Sequence, residues 1–243
     1  MTRRVLYVHG FPLDQTMWAA QVTALGGEAI DLPGFGQAPP MDGPLTMDRL
    51  AEAVAAAIGE EPADLVGFSM GGFALLALWA LRPELVRSLA LVGTRATADD
   101  EAGRARRDEQ AELLRRAGRA ALADVQLPSL VAQGAPETVR QRLRAMIEGT
   151  RPETILAALA ALRDRPDRTA MLPDISVPVL LVGGEQDRLA APALLRDAAS
   201  RLPDATLVLV PGVGHTVPME APDELNRALR GFWEQISPAG GPS

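Results

Sequence analysis

Apolar runs alternate with helical patterns along these 243 residues, and that rhythm predicts an α/β fold built on a mostly parallel sheet. The apolar runs are continuous rather than alternating, as in strands covered on both faces. A G-x-S-x-G pattern also stands where a strand pattern gives way to a helical one, at Gly67-Phe68-Ser69-Met70-Gly71.

The elements follow in chain order. Arg4–Val8 is the first strand candidate, and the amphipathic stretch Asp14–Leu25 follows it as a helix. Glu28–Asp31 is the next strand and Thr46–Ile58 the next helix. Ala63–Phe68 leads through the serine turn into a helix over Met70–Leu81. Ser88–Val92, Val177–Val182 and Thr206–Val210 complete a sheet of about six strands, with helices expected at Pro192–Arg201 and Pro222–Gln235. Right-handed crossovers join parallel neighbours in such a sheet.

One segment breaks the rhythm. Between Thr97 and Leu172 no strand pattern appears, and helical periods run through Asp108–Arg116, Thr138–Ile147 and Glu153–Leu162, punctuated by Pro128, Pro136, Pro152 and Pro166. Residues 96–172 are therefore expected to form a helical cap inserted into a core made of residues 1–95 and 173–236. The tail, 237–243, reads as disordered.

Composition narrows the chemistry. The formal charge is −7, and nucleic-acid binders usually carry a basic stripe instead. Cysteine is absent, which removes disulfides, thiol catalysis and Cys-ligated zinc. Lysine is absent too, so Schiff-base chemistry and a P-loop lysine are excluded. The apolar run after Arg3-Arg4 is too short for a signal-peptide core or a membrane span. A cytoplasmic protein, without a membrane or nucleic-acid partner and either monomeric or homodimeric, is the expectation.

The serine turn is the centre of the site. A serine between a strand and a helix is pushed out of the sheet edge on a strained backbone, and small residues at Gly67 and Gly71 avoid collisions there. The helix N-terminus behind Ser69 favours developing negative charge. A serine nucleophile needs a base that titrates near working pH, and histidine is the usual choice. The chain has two, His9 and His215. His215 ends the glycine-rich loop Val210-Pro211-Gly212-Val213-Gly214, where it can reach the C-terminal edge of the sheet. His9 ends the first strand and is expected to order the neighbouring loop by hydrogen bonding.

An acid must hold the imidazole's tautomer and stabilise its protonated form. The strand Val179–Val182 runs through Gly183-Gly184 into Glu185-Gln186-Asp187. Asp187 is preferred over Glu185 because of its spacing from the strand and from the helix that Pro192 opens; a helix cap is the competing role. The strand ending at Gly93 offers no acid before Asp99 and Asp100.

Acyl transfer also needs two donors for the tetrahedral oxygen. These are expected to be the N–H groups of Met70 and Phe11, since Pro12 has none. Phe11, Leu13, Met17, Trp18, Met70 and Phe73 are expected around the acyl pocket, with Leu113, Leu143, Met146 and Ile147 hanging from the cap. Arg95 and Arg188 flank the same edge, either solvated or placed to contact a substrate carboxylate. No Asp–His cluster is present, so neither metal nor cofactor is expected.

The motifs His9-Gly10-Phe11-Pro12-Leu13-Asp14, Asp31-Leu32-Pro33-Gly34-Phe35-Gly36, Gly67–Gly72, Val177–Asp187 and Gly212–His215 together resemble the α/β-hydrolase superfamily. The likeness spans residues 4–233 apart from most of the cap. It is greatest to esterase and 3-oxoadipate enol-lactonase-like members, which are similar to haloperoxidase/perhydrolase and C–C hydrolase members. An aspartate nucleophile, the mark of the dehalogenase branch, is absent. Family members commonly begin with a hairpin before the first strand, so here the first sheet edge is expected to need protection by a partner or by twist. The resemblance implies a carboxylic ester or lactone hydrolase acting on a small-molecule substrate. A C–C hydrolase or perhydrolase with the same residues is the alternative, and a low-turnover ligand receptor on this fold is a third. These branches share their motifs, so fold alone does not choose between them.

Overall fold

Strands whose consecutive residues are all apolar need cover on both faces, and the chain supplies it. The computed structural model describes residues 3–237. Six parallel strands form one sheet in the order β2-β1-β3-β4-β5-β6. They are β1 (Val5–Val8), β2 (Glu28–Ile30), β3 (Ala63–Phe68), β4 (Val86–Val92), β5 (Val179–Gly184) and β6 (Ala205–Val210). Successive side chains point to opposite faces. Leu89, Leu91, Val179 and Leu181 accordingly pack in one apolar layer, and Ala90, Val92, Leu180 and Val182 in the other.

Helices complete each layer. α2 (Met47–Ile58) and α3 (Met70–Leu81) pack together on the first face through Leu50, Val54 and Leu75. α1 (Ala19–Leu25) and α9 (Pro222–Ile236) pack on the second, where Leu225, Leu229 and Phe232 are buried. Full burial of a side chain of this size contributes about 1.5–3 kcal/mol. The thinly covered strands lie at the sheet edges. β2 has three residues, one exposed and two half-buried, and β6 is half-buried along most of its length. A very short edge strand gives another chain little to pair with.

Between β4 and β5 the chain leaves the sheet. α4 (Glu101–Leu130), α5 (Glu137–Gly149) and α6 (Pro152–Arg163) fill this stretch, with α5 and α6 each packed on α4. α4 is two helical pieces joined at Gly118, whose φ of 80 and ψ of −177 break the spiral. α7 (Pro192–Arg201) and the single turn α8 (Val217–Glu220) lie later in the chain. Side chains of Asp14, Thr46 and Asp100 accept backbone N–H groups at three helix starts. Each such cap contributes about 1 kcal/mol.

Several boundaries differ from the sequence reading, for local reasons. The helix expected over Asp14–Leu25 is a 3-10 turn, Gln15–Trp18, followed by α1. β5 begins at Val179 rather than Val177, because Pro178 has no N–H to give the ladder. The helix expected over Asp108–Arg116 is a fraction of α4, and Pro128 lies inside the last turns of that helix instead of ending it. No helix among the described residues is long and apolar enough to cross a membrane. The tail expected to be disordered lies, except for Ser237, outside the described residues.

Candidate active site

A sharp turn between β3 and α3 carries Ser69. Its φ is 49 and its ψ −110, and it is the one non-glycine residue with positive φ among those described. Such backbone costs about 1–3 kcal/mol and persists only where its surroundings hold it. Here Ser69 N–H donates to the Val92 carbonyl at 2.9 Å, and Phe73 N–H donates to the Ser69 carbonyl at 3.0 Å. The turn also presses against β1. A β-carbon on Gly71 would lie 2.3 Å from the Val8 carbonyl oxygen, so no larger residue fits there.

The loop after β6 brings His215 to the same edge. Its imidazole packs on the Phe68 ring at 4.8 Å between centroids and is 2% exposed. Gly93, with φ 54, follows β4 and abuts the imidazole; a β-carbon there would come within 3.1 Å of that ring. His215 Nδ1 pairs with Asp187 Oδ2 at 2.7 Å. The other Asp187 oxygen accepts the Leu189 and Ala190 N–H groups, at 2.7 and 2.9 Å. Burial alone would push the Asp187 carboxyl up, but the His215 charge and the hydrogen bonds from His215, Ala190 and Leu189 hold it below the usual range. An ionised carboxylate there fixes the tautomer that leaves Nε2 free for a proton. The competing acid, Glu185, has an exposed side chain. Asp187 thus sets one oxygen on His215 and the other on the loop backbone at Leu189 and Ala190, ahead of α7, whose start it does not cap.

Ser69 and His215 line one cavity of about 310 Å³ with Phe11 and Phe73. A hydrogen bond between the Ser69 hydroxyl and the imidazole is not formed among the described residues. In free enzymes such links are often long and tighten on binding. The N–H groups of Phe11 and Met70 make no hydrogen bond to the protein among the described residues. His9 supports this corner. Its Nδ1 pairs with the Gly10 carbonyl and its Nε2 accepts Leu32 N–H, both at 2.9 Å. Full burial pushes its pKa down, so it stays neutral and bridges two loops.

The expected pocket lining is found only in part. Leu13, Met17 and Trp18 are buried with Tyr7 in the second apolar layer, and Leu143, Met146 and Ile147 join them there. None of the six lines the cavity; nor does Met70, whose side chain is buried in the first layer, and nor does Leu113. The physical reason is the 3-10 turn after the Phe11 loop, which folds Met17 and Trp18 against β1 instead of toward solvent. The cavity wall comes instead mainly from α4, through Gln126, Leu130 and the Asp99–Arg107 region that precedes and opens it.

Two features escaped sequence reading. Glu220 accepts Gly214 and Thr216 N–H on either side of His215, and also Ala132 N–H, tying the histidine loop to the inserted helices. The start of α8 gave no periodic signal to announce it. Asp99, set aside as an acid too distant from its strand, is buried among arginines at the cavity. The spacing of Arg95 and Asp99, four residues apart, was the available sign.

With this geometry the catalytic arrangement of a serine hydrolase is possible, and comparison with known proteins agrees in fold. A pimeloyl-[acyl-carrier protein] methyl ester esterase of Neisseria meningitidis serogroup A is 30% identical over 96% of this chain and 78% of its own length. A malate-bound thermophilic esterase from Thermogutta terrifontis superposes with a TM-score of 0.92, at 32% identity over 97% of this chain and 91% of that one. The enol-lactonase from Burkholderia xenovorans gives 0.87 at 26% identity, covering 96% and 92%. The alpha/beta hydrolase family model matches residues 5–228, and the chain belongs to that family.

Proposed function

We propose that this carboxylic ester hydrolase cleaves small esters or lactones through an acyl-enzyme formed on Ser69. The observation that carries the reading is the His215–Asp187 pair at 2.7 Å, set on the cavity that also holds the Ser69 turn. Ser69 Oγ attacks the carbonyl carbon while its proton passes to His215 Nε2. The oxygen that becomes negative is held by the N–H groups of Phe11 and Met70, a term typically worth about 3 kcal/mol per donor. His215 returns the proton to the leaving alkoxide. Water then attacks the acyl group, giving its proton to His215, and the acid leaves as Ser69 recovers the proton. Asp187 holds the ring and offsets its charge throughout. The esterase activity in the names of full-length relatives supports the bond type.

Residues 96–172 act in this reading as the cap that shapes the pocket. A cavity of about 310 Å³ is at the low end for small-molecule sites and suits short acyl groups. p-Nitrophenyl acetate to hexanoate should therefore be cleaved at least about tenfold faster than the palmitate, and peptides not at all. Steady-state kcat/KM across the chain-length series is the measurement. A palmitate optimum would replace the closed cavity with a lipase-like opening.

A further inference from the structure

The cavity beside Ser69 carries a charge pattern that ester hydrolysis alone does not require. Asp99 is buried and faces three guanidinium groups, those of Arg95, of Arg107 at 3.1 Å and of Arg165 at 2.9 Å. Arg165 is itself 3% exposed and stacks over the Phe73 ring at 4.4 Å. One carboxylate cannot balance one buried and two half-buried cations. Desolvation pushes the Arg95 and Arg107 pKa values down, and the Arg165 charge adds to this at both. Arg95 and Arg107 line the cavity together with Arg106 and Arg188, which make no ion pair among the described residues. Asp99 is the one acid in that lining, so its four arginines leave a surplus of three positive charges in a chain of formal charge −7. The local field is opposite in sign to the molecule's. A cleft lined by one sign of charge concentrates ligands of the other.

We infer that the cavity takes an ester whose far end carries a carboxylate, received by the arginine cluster while the ester carbonyl sits at Ser69. Planar guanidinium groups can match a carboxylate edge to edge, and Arg107 and Arg165 each already give one contact to the Asp99 carboxylate. Arg95 and Arg107 form the built wall, and the exposed Arg106 and Arg188 draw the anion in from the rim. This inference rests on the serine-hydrolase reading above and adds the class of substrate.

Monoethyl esters of succinic to suberic acid, each paired with the ethyl ester of the monocarboxylic acid of equal length, test it by pH-stat titration. At least one charged ester should exceed its neutral partner in kcat/KM by roughly tenfold or more, the worth of one charge-assisted contact. The Arg106→Gln/Arg188→Gln double variant should cut that ratio several-fold, and high salt should lower it too. Calorimetry on Ser69→Ala reads the site without turnover: adipate should bind more tightly than hexanoate. Neutral esters preferred at every length, with adipate binding no tighter than hexanoate, would overturn the carboxylate site and leave the hydrolase intact. No cleavage of either ester, with adipate still preferred, would overturn the hydrolase and leave the site.

Discussion

Ser69→Ala is expected to lower kcat/KM for p-nitrophenyl butyrate by roughly four powers of ten, with the fold unchanged. Without the hydroxyl there is no atom at the turn to form the acyl bond, and only binding and the N–H donors of Phe11 and Met70 remain. Alanine keeps the β-carbon of serine, so the backbone at φ 49 is no more strained than before. The hydrogen bonds that hold the turn are made by backbone and by Thr94, not by the hydroxyl. Circular dichroism and thermal unfolding of the variant should match the wild type. Retention of more than a tenth of the activity would remove Ser69 from the chemistry.

Asp187→Asn should be nearly as damaging, on the order of a thousandfold or more in kcat, because an amide stabilises the wrong imidazole tautomer and cannot offset the imidazolium charge. Asparagine can still accept the Leu189 and Ala190 N–H groups through its oxygen, so the loop should stay folded. Glu185→Gln should change kcat by less than about threefold, since surface substitutions away from the chemistry are near neutral. Its side chain is exposed, and its backbone N–H still pairs with the Val210 carbonyl. Kinetics of the two variants side by side distinguish them. A severe Glu185→Gln and a mild Asp187→Asn would move the acid.

These residues were legible in the sequence because each is tied to a strand end. Burial on both faces makes β3 and β5 continuous apolar runs, and the turns that follow them stand out as glycine, serine and aspartate. The six-strand parallel sheet follows from the same runs. What the sequence did not show depends on tertiary direction. Met17 and Trp18 read as pocket residues because they follow the Phe11 loop, yet a 3-10 turn faces them into the core. Pro128 read as a break but lies inside α4, where tertiary packing overrides local preference. The sequence assigned no role to Arg107 or Arg165, and only folding set these two, 58 residues apart in sequence, around one buried aspartate.

A fluorophosphonate, which phosphonylates activated serines with loss of fluoride, tests the central claim most directly, because it reports on the nucleophile without any assumption about substrate. Intact-mass spectrometry should find one label per chain, and fragment masses should assign it to Ser69. Labelling should fall sharply in Asp187→Asn and be absent in Ser69→Ala. A label on another serine, or ester turnover by a chain whose Ser69 stays unlabelled, would contradict an acyl-enzyme at this turn.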